Sequence, residues 1–131
     1  MAGSATLDQR RAAHAWKAVE AVAANPKADK AKYGIHSKKL PSRIVAAGLG
    51  QALAFLLAKN YCPDLLQALS HWVLNKKEYP APPAKLPAAD TLLRTVVNGD
   101  SDMLRLHTEE SLAYLQWLVR FVEAQGLGEE E

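Results

Sequence analysis

At 131 residues the chain has the length of one domain, and 16 basic against 14 acidic side chains leave a formal charge of +2, with no overall polyelectrolyte signature. With 49% hydrophobic and 23% charged residues it can bury a sizeable core, which excludes an intrinsically disordered chain and a coiled rod. Alanine and leucine fill 42 positions and valine and isoleucine only 10, an imbalance that favours helices, where unbranched side chains lose little rotamer freedom, and argues against a sheet protein.

Taken in chain order, Thr6 followed by Gln9 forms a capping box. Trp16, Val19, Val22 and Ala23 then recur at helical spacing until Asn25-Pro26 stops the run, which predicts a first helix over about residues 7–24. The stretch from Ala28 to Asn60 is helical in composition but punctuated by Pro41, Gly48 and Gly50, so it reads as two or three helices or as one kinked helix leading into another. Gly48-Leu49-Gly50 lacks the third glycine of a dinucleotide loop and the Lys-Ser/Thr of a phosphate loop, and is read as a helix-to-helix turn or a close packing point. Pro63 suits a first helical position, and Leu65, Leu66, Leu69, Trp72 and Val73 give the helix behind it one apolar face, ending near Leu74.

Residues 75–87 hold Pro80, Pro82, Pro83 and Pro87 and read as an extended connector. Asp90 is placed as the cap of a short helix carrying Leu92, Leu93, Val96 and Val97, closed by Gly99 in a left-handed conformation, with a turn through Asp100-Ser101-Asp102. Thr108 is read as the cap of the last long helix, whose apolar residues run round most of its circumference and place it at the centre of the bundle. Gly126 ends it, and residues 127–131 read as a solvated acidic tail. The expected architecture is all-α: one domain over residues 1–131, a compact bundle of about five to six helices.

Lone Cys62 makes no internal disulfide, no apolar stretch follows the first basic residues, and the longest uncharged run, 44–58, falls short of the roughly 20 residues that a membrane span needs. A cytoplasmic chain without membrane contact is expected. His14, His36, His71 and His107 are too scattered for a paired metal site, and His71 beside Trp72 reads as a partly buried histidine with a satisfied ring nitrogen. Asp100, Asp102, Glu109 and Glu110 are the one acidic cluster; they flank expected helix starts, where the helix dipole favours negative charge, and are read that way rather than as a Mg²⁺ site. No catalytic constellation, metal site or cofactor motif is legible.

The informative pattern is charge distribution. Residues 1–26 carry a net +1, residues 27–59 carry +6, with Asp29 the only acid, and residues 60–131 carry −5. At about 100° per residue, Lys32, His36, Lys39 and Arg43 share one face of a continuous helix, with Tyr33, Leu40 and Ile44 beside them. If Pro41 breaks the helix, Arg43 leaves the row. An intact stripe is about 16 Å long, enough to follow a few phosphates of one strand.

The same segment carries a family resemblance. Lys32-Tyr33-Gly34, Lys38-Lys39-Leu40-Pro41-Ser42 and the run from Gly48 through Gln51 to Leu56 resemble the small-subunit family of the Cmr complex, the type III-B CRISPR effector that silences RNA. The run from Thr108 through Trp117 to Phe121 looks like that family's closing helix. The resemblance implies an all-helical, non-catalytic subunit present in several copies, stacked on copies of itself beside the other Cmr effector subunits and lining the path of guide and target RNA. It implies backbone contacts at Lys32, Lys38 and Lys39; Arg43 is added from the charge stripe. Tyr33, Leu40, Ile44, Leu53 and Phe55 are read as core. The competing readings are a helical protein-protein interaction module that binds no nucleic acid, and a small enzyme.

Overall fold

A computed structural model describes residues 3–75 and 86–128; most of the proline-rich connector, and residues 129–131 of the acidic tail, lie outside these. The described residues form six helices and no strand: α1 (Leu7–Ala24), α2 (Lys30–Ala47), α3 (Leu49–Lys59), α4 (Pro63–Asn75), α5 (Thr91–Asn98) and α6 (Ser101–Ala124). One hydrophobic core draws on all six, through Val19, Leu40, Leu53, Trp72, Leu92 and Leu118 among others. Helix α6 packs against α1, α2, α4 and α5, the central position its all-round apolar pattern predicts.

The capping box of α1 is complete, with the Gln9 amide N–H donating to Thr6 Oγ1 and the Thr6 amide to Gln9 Oε1. Helix α2 starts at Asp29, whose carboxylate accepts from the Lys32 amide at 3.1 Å, and runs through Pro41 without a break. Proline removes one helical N–H, that which would have met the Ser37 carbonyl, but the apolar contacts of Leu40 and Ile44 on either side hold the helix to the core. The breaker is Gly48 instead: at φ 92° and ψ 157° it occupies backbone space that a β-carbon makes costly, and α3 starts at the next residue.

One expected boundary moves, and the two caps of α5 keep their positions but not their expected geometry. Helix α6 begins at Ser101, seven residues before Thr108, because Asp100 is the cap and accepts from the Met103 amide at 2.8 Å. The Thr108 hydroxyl donates back to the Leu104 carbonyl inside the helix. Gly99 is extended, at φ −98° and ψ −179°, since the chain passes directly from the last turn of α5 into the Asp100 cap. Asp90 does not cap α5 with its side chain but pairs with Arg94 at 3.3 Å.

Helix α6 closes as expected at Gly126, with the Leu127 amide reaching back to the Val122 carbonyl in a Schellman arrangement. Of the expected solvated tail, Leu127 is instead buried in the core, and Gly128 lies across Gly34 of α2. A β-carbon on Gly34 runs into the Leu127 carbonyl and stands 2.6 Å from the Gly128 α-carbon. Gly34→Ala is therefore expected to lower stability by about 1–3 kcal/mol, the range for overpacking. A shift of the urea midpoint to lower concentration at unchanged m-value is the expected readout, and an unshifted midpoint would mean that the 127–128 turn is not docked on α2.

Candidate nucleic-acid interface

Because α2 is continuous, its helical period decides which cations meet. Lys32 and Lys39 are exposed, Arg43 is half-buried, and all three surround His36. Arg43 Nη1 lies 3.0 Å from His36 Nδ1; a guanidinium can only donate, so Nδ1 accepts. Burial, with Arg43, Lys39 and Lys32 close by, holds His36 below its ordinary 6.5, which keeps the ring neutral at pH 7 and the cationic face at its three permanent charges. Lys38 stands apart from this group. One residue from Lys39, it is carried about 100° round the helix, into a cleft of about 500 Å³ that it lines with Asp8, Trp117 and Arg120.

Rings from two further elements join the cationic face, and the charge pattern alone gives no sign of them. Tyr61, in the turn between α3 and α4, stacks on His36 at 4.3 Å between centroids and carries the Lys32 ammonium 5.1 Å from its own centroid. Phe55 of α3 holds the Arg43 guanidinium 4.5 Å from its ring and is 39% exposed, so it is not the core residue expected, whereas Tyr33, Leu40, Ile44 and Leu53 are buried as expected. The signal available in the sequence was Phe55 and Tyr61, two of the three aromatic residues inside a segment, 30–63, that contains no Asp or Glu. No ion pair among the described residues involves Lys32, Lys38, Lys39 or Arg43.

Of the four acids expected at helix starts, Asp100 caps α6 and Asp102 lies in its first turn, but Glu109 and Glu110 fall inside the helix. Glu110 is buried and turned into the bundle, accepting from Arg11 Nε at 2.6 Å, Arg11 Nη2 at 2.9 Å and Trp72 Nε1 at 2.8 Å. Arg11 also reaches Asp8, which accepts from Trp117 Nε1 at 3.0 Å, and these contacts hold the Asp8 carboxyl below its usual range. Among the described residues, no group of three or more His, Cys, Asp or Glu is placed to hold a metal ion. Burial pushes the Cys62 thiol up to about 12, which suits a packing role.

Behind Glu110, His14 Nδ1 lies 2.7 Å from the Tyr114 hydroxyl and His14 Nε2 lies 2.8 Å from His71 Nδ1, which satisfies a ring nitrogen of His71 as expected. Burial, followed by the neighbouring His71 and Lys17, pushes His14 down to about 4 from its ordinary 6.5. The unfolded chain then takes up the proton first as pH falls. This contribution to stability is full above about pH 6.5, is lost progressively between 6.5 and 4, and totals on the order of 3 kcal/mol. Urea midpoints across that window should fall for the native chain and fall distinctly less for His14→Gln; parallel pH profiles would refute the assignment to His14.

Fold and flank together define a small all-helical protein with one cationic flank, drawn from a segment, 30–63, without Asp or Glu, and no described helix is long and apolar enough to cross a membrane. The family described as CRISPR-associated protein (Cas_Cmr5) matches residues 7–125, so the chain belongs to the Cmr5 family of CRISPR-associated proteins. The crystal structure of a CRISPR-associated Cmr5 family protein from Thermus thermophilus is similar to it at a TM-score of 0.75 and 24% identity, over 92% of this chain and 97% of that one. That likeness establishes a shared fold. No curated protein sequence matches the chain.

Proposed function

We propose that this chain is a non-catalytic small subunit of a type III-B CRISPR effector ribonucleoprotein in the cytoplasm, and that it grips the guide and target RNA backbone without reading sequence. The observation that carries this reading is the face formed by Lys32, Lys39 and Arg43 around neutral His36, in a segment without an acid and without an ion pair among the described residues. A protein that serves any guide and target must hold phosphates and sugars, since base pairing already reads the sequence. Lysines on long stems suit that task, since an ammonium is a point charge that meets phosphates in any sequence. Lys38 belongs to the same role from the adjoining side of α2, as a separate contact.

Assembly with other Cmr subunits and with copies of itself has support of a different kind. The corner between α5 and α6 leaves Val97 (71% exposed), Leu106 (50%), Met103 and Leu104 open to solvent, apolar surface of the kind that subunit contacts cover. The +6 of residues 27–59 against the −5 of residues 60–131 gives the molecule a polarity that favours head-to-tail stacking. Copies repeated along one strand then convert weak single grips into tight binding through effective concentration.

Recovery of the chain from its native cell, with sequencing of any RNA that accompanies it, tests the reading. Guides sharing a common repeat-derived end are expected; helical protein partners without RNA would favour a protein-protein interaction module.

A further inference from the structure

We propose that Phe55 is a stacking platform for an unpaired RNA base, so that this flank takes single-stranded RNA in preference to duplex; the proposal rests on the RNA-gripping reading above and adds to it the state of the strand. A singly exposed apolar residue needs no explanation on a protein surface. Phe55 is not single in that sense. It ends a continuous row that runs Lys32, Tyr61, His36, Arg43, Phe55 across α2, α3 and the turn behind α3. Within the row Tyr61 is half-buried and His36 buried, which leaves Phe55, at 39% exposure, as the ring open to a ligand.

The ring is also held in place. Arg43 bridges it to His36, with Nη1 on Nδ1 at 3.0 Å and the guanidinium carbon 4.5 Å from the Phe55 centroid, and Tyr61 meets it edge-on at 6.5 Å and 68°. The guanidinium lies over one face of the Phe55 ring, so a base stacks on the ring's other face or on the outer plane of the guanidinium and meets a cation in either case, while Lys32 and Lys39 lie further along α2 for the neighbouring phosphates. Residues 30–63, which supply every member of the row, contain no Asp or Glu between Asp29 and Asp64, so the row carries a net positive charge that complements a polyanion. A duplex keeps its bases paired and stacked inside and offers Phe55 only phosphates and sugars. The aromatic member of the row therefore has a use only on an unpaired strand.

NMR titration of the full chain, at low salt and high protein concentration so that weak grips register, compares three ligands of equal length: an oligoadenylate, an abasic strand with the same phosphates, and an RNA duplex. The native chain is expected to bind the base-bearing strand roughly 5- to 100-fold more tightly than the abasic one, the range that loss of one stacked base produces. Phe55→Leu, which keeps an apolar side chain on a half-exposed helix position, should erase that difference without changing the salt dependence, and Phe55→Trp should preserve it. Equal native affinity for oligoadenylate and abasic strand, unaltered oligoadenylate binding by Phe55→Leu, or a preference for duplex would each overturn the stacking platform while leaving the backbone grip standing. No binding of any of the three would overturn both.

Discussion

Glu110→Ala is expected to cost about 3 kcal/mol of stability, at the lower end of the range for breaking a buried ion pair, since the Arg11 side chain keeps 18% of its exposure and Glu110 10%. The cost arises from what is left behind. Arg11 loses a two-pronged partner and Trp72 loses the acceptor of its indole N–H, in the layer where α1, α4 and α6 meet. Chemical denaturation of the isolated chain measures it. Because much of the penalty is a guanidinium left with the exposed Asp8 as its acidic partner, Arg11→Ala combined with Glu110→Ala should cost less than the two single changes added together. A Glu110→Ala loss below about 1 kcal/mol, the level of an exposed pair, would show that this contact does not hold the three helices together.

The second large effect falls on binding. With Lys32, Lys39 and Arg43 all changed to alanine, target RNA affinity should drop on the order of 100-fold for each subunit engaged, from about 0.7 to 0.9 counterions released per phosphate contact at physiological salt. Lys32→Arg with Lys39→Arg should restore nearly native affinity, because the face supplies charge and not a shaped fork. Lys38→Ala alone should weaken binding less than the triple change and independently of it, as it stands on a different side of α2. Since Lys32, Lys39 and Arg43 make no ion pair among the described residues, the triple change should leave the folded chain's stability within a few tenths of a kcal/mol, apart from the Arg43 contacts with His36 and Phe55. A circular dichroism melt of the variant establishes that any lost affinity is a binding effect.

What the residues alone conveyed follows how local each cause is. The start of α1 was legible to the residue because both halves of its capping box lie within four positions, and the cationic row was legible because one period of a single helix creates it. The fate of Pro41 was not legible, since tertiary packing of Leu40 and Ile44 outweighs one missing hydrogen bond, and no local rule states that balance. Asp100 and Thr108 are both good caps, and only the placement of the α5 end selects the first. Glu110 looked like part of an acidic cluster because its partner Arg11 is 99 positions away. Phe55 sits in Leu53-Ala54-Phe55-Leu56-Leu57, apolar at every helical phase, so nothing local tells which side chain faces out until α2 and α5 are packed against α3.

The account stands on the claim that the Lys32, Lys39 and Arg43 face holds RNA through charge and independently of sequence. The most direct test is the salt dependence of target RNA affinity in Cmr complexes assembled with the native chain and with the triple alanine variant, for two unrelated guide and target pairs. The slope of log affinity against log salt should become shallower by about 2 to 3 units per subunit engaged, by the same amount for both pairs. Intact assembly with an unchanged slope, or a change confined to one of the two sequences, would contradict it.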